Sequence, residues 1–208
     1  EWVDAIVYAL VAVYLINIFL FQNYKIPTSS LEKSLLVGDY LFVSKLSYGP
    51  RVPNTPLSFP LVQNTFPVLN IKSYVEWPSW PYHRLAGLGK VQRGDIVVFN
   101  FPAGDTVAVR VPNPDYYTLA HYVGREALKR NKEQFGEIVY RPVDRRENYV
   151  KRCVGMPGDM FEIRDNQVYI DGRVLENPRN IQFNYFVMLQ PGYRFVEKQF
   201  RELGVIGR

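Results

Sequence analysis

The sequence predicts a mainly β protein with an N-terminal transmembrane helix and a Pro- and aromatic-rich insertion. Three observations carry this. The 208 residues are 47% hydrophobic and 15% aromatic, which argues for a folded core rather than wholesale disorder. Fifteen prolines and fourteen glycines, among frequent Val, Ile, Tyr and Phe, favour short strands joined by many turns. Residues 5–21 (AIVYALVAVYLINIFLF) form an apolar run without a charge.

At about 1.5 Å per residue that run covers roughly 25 Å, the short end for crossing a hydrocarbon core of about 30 Å. Trp2 and Val3 extend it past Asp4, and Asn17 is its one awkward polar side chain. A cleavable leader needs a basic start and an Ala-x-Ala-like site. Here the start is acidic (Glu1, Asp4) and no such site follows Phe21. A core helix is the bland alternative; a membrane anchor over residues 1–22 fits better. Lysine and arginine bias gives no orientation with so little flank.

The rest, 23–208, reads as one β-rich domain. Residues 34–44 (SLLVGDYLFVS) predict a turn at Gly38-Asp39 feeding a buried strand. Residues 50–81 hold seven of the fifteen prolines, which excludes a central strand or long helix there. A loop-rich insertion over 50–90 follows. Its Trp77, Trp80 and Tyr82 suit either an irregular packed loop or the membrane interface, where indole rings concentrate. Residues 91–102 repeat the turn-then-strand pattern, and 106–111 read as a short strand. Asp115 opens the best soluble helix, 115–132, with bases toward its end, inside a helical insertion over 113–135. Residues 137–140 and 149–154 read as strands. Residues 160–170 predict a hairpin about Asp165-Asn166, and Asp171-Gly172 the next turn. Beyond Pro178 no pattern emerges, and there is no internal repeat.

The net charge is +5, and the only charges in 1–21 are acidic, so the remainder is more basic still. Anionic lipid would suit such a surface. Nucleic acid would not, because no basic-aromatic recognition motif appears. The single cysteine, Cys153, excludes an internal disulfide and a cysteine-rich zinc site.

Thr28, Ser29 and Ser30 follow Pro27 just outside the apolar run. A serine nucleophile needs a base. His83 and His121 sit in settings that suggest surface residues, so a Ser-His-Asp arrangement has little support. Lys151 and Arg152 lie in an apolar strand that ends in Gly-Met-Pro-Gly-Asp, and alternation sends them to opposite faces. An inward lysine loses affinity for its proton on desolvation, whereas arginine keeps its own. Such a lysine could activate a serine; a surface lysine with its stem laid on apolar neighbours stays open on spacing alone.

Three segments resemble the bacterial signal peptidase I family, membrane-bound serine-lysine endopeptidases (peptidase family S26). Ile-Pro-Thr-Ser-Ser-Leu (26–31) is similar to the family's Pro-Ser-x-Ser-Met box. Arg-Gly-Asp-Ile-Val-Val-Phe (93–99) is similar to its Arg-Gly-Asp strand. Tyr-Val-Lys-Arg-Cys-Val-Gly-Met-Pro-Gly-Asp (149–159) is similar to its lysine box. The three stand in order behind an anchor.

The resemblance implies an antiparallel β catalytic domain and removal of signal peptides from secreted preproteins without metal or cofactor. It implies Ser30 as nucleophile, Lys151 as general base, and Thr28 with the Ser30 backbone N–H as oxyanion donors; Ser29 is then a bystander. It assigns Ile26, Pro27, Leu31, Leu35, Tyr149 and Val150 to shallow substrate pockets, and Gly155, Pro157, Gly158 and Asp159 to shaping the turn. It places the chain in the bacterial cytoplasmic (inner) membrane with the catalytic domain on the extracytoplasmic side. Its partners would be signal peptides and the lipid bilayer. The short tether would keep the hydroxyls near the plane where an anchored preprotein presents its cleavage site.

Two departures stand out. Leu31 replaces the family's methionine, a volume-conserving change. The Gly-Asp-Asn-Arg box and the Ser-x-Asp-Ser-Arg pattern that support the lysine do not occur before Arg208. The expectation is a piece of a longer, insertion-bearing member whose C-terminal part is incomplete. A non-catalytic relative that binds preproteins is the rival reading; a native full-length chain also lacking the last box would favour it. A self-cleaving serine-lysine regulator is disfavoured by the anchor and the missing DNA-binding helices.

Overall fold

The computed structural model describes residues 1–66, 71–179, 181–183, 188–192, 194 and 196–202. It divides into two units, 1–177 and 178–208. The first opens with α1 (Trp2–Phe19), the one described helix long and apolar enough to cross a membrane. None of its residues is buried, and apolar side chains surround it on every side. A helix at the surface of a soluble domain would carry a polar face.

The helix stops at Phe19, and residue 21 already belongs to β1 (Phe21–Lys25). Gln22 and Asn23 end the apolar run, and the segment gains a partner in β2 (Tyr40–Ser44), antiparallel from Phe21↔Ser44 to Lys25↔Tyr40. β2 was expected to be buried; instead both strands alternate, with Gln22, Tyr24, Leu41 and Val43 half-buried on one face. β1 carries polar residues on both faces, so hydrophobic pattern gave no sign of it.

Among the described residues of 50–90 there is little regular structure. The region holds β3 (Arg51–Val52), β4 (His83–Arg84) and two isolated bridges, Ser58↔Tyr74 and Thr65↔Lys72. A buried polar cluster holds it in place. Asp144 accepts from the backbone N–H and hydroxyl of Thr55, both at 2.8 Å. Arg145 donates to the Thr55 hydroxyl at 2.7 Å and to its carbonyl at 3.0 Å, and lies over the Tyr74 ring. Arg141 pairs with Glu147, which also accepts from Asn64. A single 3-10 turn, Val143–Arg145, thus ties the region around Thr55 to the segment that enters the lysine strand.

β5 (Ile96–Asn100), β6 (Thr106–Ala108) and β7 (Ile138–Tyr140) follow expectation closely. β6 and β7 pair antiparallel, and a helical segment lies between them in sequence. The single helix expected over 115–132 is three: α2 (Tyr116–Val123), α3 (Arg125–Arg130) and α4 (Lys132–Phe135). Asp115 caps the first by accepting from Tyr117 and Thr118. Gly124, with φ at 88°, breaks the run, and Asn131 breaks it again by capping α4 through the Gln134 N–H. The best-buried hydrophobic cluster lies here: Ala108, Tyr116, Leu119, Leu128 and Phe135. Each large side chain so buried contributes about 1.5–3 kcal/mol.

β8 (Asn148–Arg152) pairs antiparallel with β5, Lys151 opposite Val97. β9 (Phe161–Arg164) and β10 (Gln167–Ile170) form the expected hairpin, with Asp165 and Asn166 both at positive φ. β11 (Arg173–Val174) joins it after the Asp171-Gly172 turn. The fold is therefore mainly β, built of small sheets in which every described pair is antiparallel. The second unit contains α5 (Glu197–Glu202). The incomplete C-terminal part expected within 23–208 falls largely outside the described residues.

Candidate active site

The hydroxyl segment is placed by the end of the first strand pair. Ile26 continues the ladder, donating to the Asp39 carbonyl and accepting from the Gly38 N–H, both at 2.9 Å. Pro27 cannot donate, so the ladder ends there. The chain then turns back on itself: Glu32 N–H bonds Ser29 O, and Ser34 and Leu35 N–H both bond Leu31 O. Gly38, with φ at 100°, and the Asp39 carboxylate, which accepts from Leu36 N–H, bring it into β2. Ser30 is thereby held at the head of a short turn, exposed.

The lysine comes from β8. Its Nζ donates to Ser30 Oγ at 2.5 Å, across 121 residues of sequence. The hydrogen bond is exposed and Lys151 is half-buried, so the full desolvation imagined for an inward lysine is not reached here. Arg152 takes the other course that alternation demands. It donates to the Gly94 carbonyl at 2.8 Å and to Ser34 Oγ at 3.3 Å, joining β8, the Arg-Gly-Asp segment and the serine turn.

The Arg-Gly-Asp box and the turn that follows β8 brace that strand. Arg93 bonds Asp159 at 2.6 Å, and Asp159 also accepts from the Met156 N–H within its own turn. These bonds hold the Asp159 carboxyl below its ordinary range, the Met156 N–H contributing most. Gly94 N–H and Cys153 N–H continue the ladder beyond β5 and β8 by bonding Cys153 O and Asp95 O. Asp95 accepts from Tyr48 at 2.7 Å and from Gln92 N–H, which lowers its affinity for a proton and raises that of the Tyr48 phenol.

Of the other residues singled out in the sequence, Pro27 and Thr28 are exposed beside Ser30, and Leu31, Leu35, Tyr149 and Val150 are half-buried. Ile26 is buried, at 3% exposure. Tyr149 stacks on Phe101 with ring centroids 4.6 Å apart. Ser29 is not free of interactions. His83 and His121 are exposed, and no hydrogen bond joins either to Ser30 among the described residues. Among the described residues no group of three His, Cys, Asp or Glu could hold a metal. Sequence reasoning missed Tyr48 and the Arg152–Ser34 contact: neither residue type nor local spacing marks a partner tens of residues away.

A sequence model of the family described as signal peptidase, peptidase S26, matches residues 1–185. The chain belongs to the signal peptidase family. Its similarity to signal peptidase I of Haemophilus influenzae is 30% identity over 172 residues, 82% of the chain and 38% of that relative. For signal peptidase I of Rickettsia felis it is 25% over 176 residues, 85% of the chain and 44% of the relative. For that of Pseudomonas aeruginosa it is 23% over 164 residues, 78% and 34%. The chain thus spans less than half the length of these signal peptidases. No solved structure matches it.

Proposed function

We propose that this signal peptidase family member is a serine endopeptidase that removes signal peptides from preproteins at a membrane surface, through Ser30 and Lys151. The hydrogen bond from Lys151 Nζ to Ser30 Oγ is the observation that carries the reading. The neutral amine takes the Ser30 proton as Oγ attacks the scissile carbonyl. The oxyanion that forms is met by the Ser30 N–H and the Thr28 hydroxyl. The ammonium then returns its proton to the departing amine, and the same amine activates a water that hydrolyses the acyl-enzyme. Each oxyanion donor of this kind is worth about 100- to 1000-fold in rate. No metal or organic cofactor enters, since both reacting groups are side chains.

A peptide seated across Leu31, Leu35, Tyr149 and Val150, with Ile26 and Pro27 behind, would cover Lys151 and expel water from it. The substrate then completes the activation of its own attacker. The division we assign is an anchor over 1–22 and a peptidase domain over 23–208, bearing a loop-rich insertion at 50–90 and a helical one at 113–135. The anchor sets the domain on the extracytoplasmic face of a bacterial inner membrane, with lipid as its second partner and nucleic acid as none.

The experiment is cleavage of a labelled preprotein in detergent micelles by the 208-residue chain, its Ser30→Ala and its Lys151→Ala variants. The reading requires cleavage by the unaltered chain that both substitutions abolish. Unaltered rates in either variant overturn it.

A further inference from the structure

The serine and the lysine belong to different sheets. Ser30 follows β1, which pairs with β2; Lys151 lies in β8, which pairs with β5. No ladder joins the two pairs among the described residues. The approach of Nζ to Oγ therefore depends on side chains that cross from one to the other. Besides the Lys151–Ser30 bond, two described side-chain bonds make that crossing. Arg152 reaches Ser34 at 3.3 Å, and Tyr48 donates to Asp95 at 2.7 Å. The first ends on the exposed serine turn. The second ends on firmly held backbone at both sides.

Tyr48 lies four residues past β2. Its chain neighbours are pinned: the Ser47 carbonyl accepts from Gly89 N–H at 2.9 Å, and the Gly49 carbonyl from Arg84 at 2.6 Å. A Cβ built on Gly49 would stand 2.0 Å from the Leu85 carbonyl oxygen, so the backbone there has no room to shift.

Asp95 is equally well placed. Its carbonyl accepts from Cys153 N–H at 2.8 Å, one pair beyond the β5–β8 ladder. Alternation puts Asp95 on the face of Val97 and of Lys151, the partner of Val97 across the ladder. Diagonal neighbours of this kind stand about 7–8 Å apart. Tyr48 thus takes hold of the β5–β8 pair on the lysine's own face. Asp95 is held ionised first by the Tyr48 bond and then by Gln92 N–H. A carboxylate acceptor makes that bond stronger than one between neutral groups.

We infer that Tyr48 is a positioning residue for the cleavage reaction: through Asp95 it fixes the lysine strand against the serine segment, so that Nζ meets Oγ. This rests on the reading of Ser30 and Lys151 as the reacting pair. Tyr48 and Asp95 are both half-buried, so water can replace a lost partner and the fold loses little. Catalysis loses more, because a displacement of about 1 Å at the reacting groups can cost about 100-fold.

The test compares the 208-residue chain in detergent micelles with Tyr48→Phe, Asp95→Ala, Asp95→Asn and Ser30→Ala. Tyr48→Phe and Asp95→Ala should each lower kcat by about 10- to 100-fold with KM unchanged. The double variant Tyr48→Phe/Asp95→Ala should fall no further than the lower single one. Asp95→Asn keeps an oxygen that accepts from Tyr48 and should retain most of kcat. Tyr48→Phe should keep its melting temperature. An unaltered kcat in Tyr48→Phe, a loss confined to KM, or a loss that tracks melting temperature overturns the inference; with Ser30→Ala inactive, the reacting pair still stands. Ser30→Ala as active as the unaltered chain overturns the pair and the inference with it.

A second measurement reads the same tie without cleavage. Spin labels go at Phe42→Cys in β2 and Phe99→Cys in β5, both exposed positions, in a Cys153→Ala background. Adding Tyr48→Phe should broaden the distance distribution between them. A distribution that stays the same overturns the inference whether or not the chain cleaves.

Discussion

The Arg93 guanidinium and the Asp159 carboxylate meet at 2.6 Å, locking the start of the Arg-Gly-Asp segment to the turn that leaves the lysine strand. Neither touches Ser30, yet together they close the Ile96–Arg152 end of the β5–β8 ladder that carries Lys151. Arg93→Gln should lower preprotein cleavage by about 10-fold while leaving the chain folded, since partly exposed ion pairs add little stability. A change in KM alone, with kcat intact, would show that the pair does not position the lysine.

Asp159 also gives an acid signature. Its folded pKa lies below its unfolded one, near 3.9. Its contribution to stability is therefore complete above that value and is lost as pH falls through the depressed folded value. Thermal unfolding of the unaltered chain should steepen in its pH dependence below about pH 4. Asp159→Asn should flatten that segment of the curve, and an unchanged curve would contradict the assignment.

Lys151→Arg separates geometry from proton transfer. Arginine can reach and bond Ser30 Oγ, but it does not give up its proton in a protein. Cleavage should fall on the order of a million-fold, as when the nucleophile or the base of such a site is removed. Melting temperature should hold. A variant with substantial activity would mean that Lys151 serves only to hold the serine.

The Thr55–Asp144–Arg145 cluster should dominate the stability of the loop-rich region around Thr55. Thr55 is 1% and Arg145 8% exposed. Arg145→Met strands the Asp144 carboxylate and should cost about 3–5 kcal/mol, read from denaturation in nonionic detergent. Thr55→Val removes a donor to the same carboxylate and should cost about 1–3 kcal/mol. Losses below half a kcal/mol in both would show that this region is held by other contacts.

Lys45 supplies a test at alkaline pH. Burial, with Arg51 and Arg84 nearby, pulls its pKa down to about 8, while its amine donates to Gln22 at 3.0 Å. The folded chain holds this proton more weakly than the unfolded one, where the value is about 10.4. The cost of the charge is full below pH 8 and is relieved as pH rises from 8 toward 10.4, so stability from this group rises over that window. In nonionic detergent Lys45→Met should lack that rise. An identical alkaline profile in the two chains would contradict it.

Much of this was legible in the residues. The apolar run has no polar face in any register, so α1 could be read from composition. Gly38-Asp39, Asp165-Asn166 and Asp171-Gly172 named their turns because few residues tolerate the backbone those turns need. Asp115 named its helix start by its side-chain oxygens. Residues Gly124 and Asn131 were equally visible, but helical charge pattern outweighed them, and the structure gave the breaks to the glycine and the cap. The first strand, β1, was not legible, since Gln22 and Asn23 become strand residues only because β2 lies opposite.

By itself the sequence determined the order of parts: an anchor, hydroxyls behind Pro27, a lysine in an apolar strand, and turns at fixed places. These are local matters of backbone freedom, burial period and side-chain chemistry. Only the tertiary structure decided that Lys151 rather than Arg152 meets Ser30, that Arg93 braces Asp159, and that Thr55 sits between Asp144 and Arg145. Those pairs are separated by 66 to 121 residues. Short-range pattern carries no distance information at that separation; the packing of sheets and the closing of buried hydrogen bonds supply it.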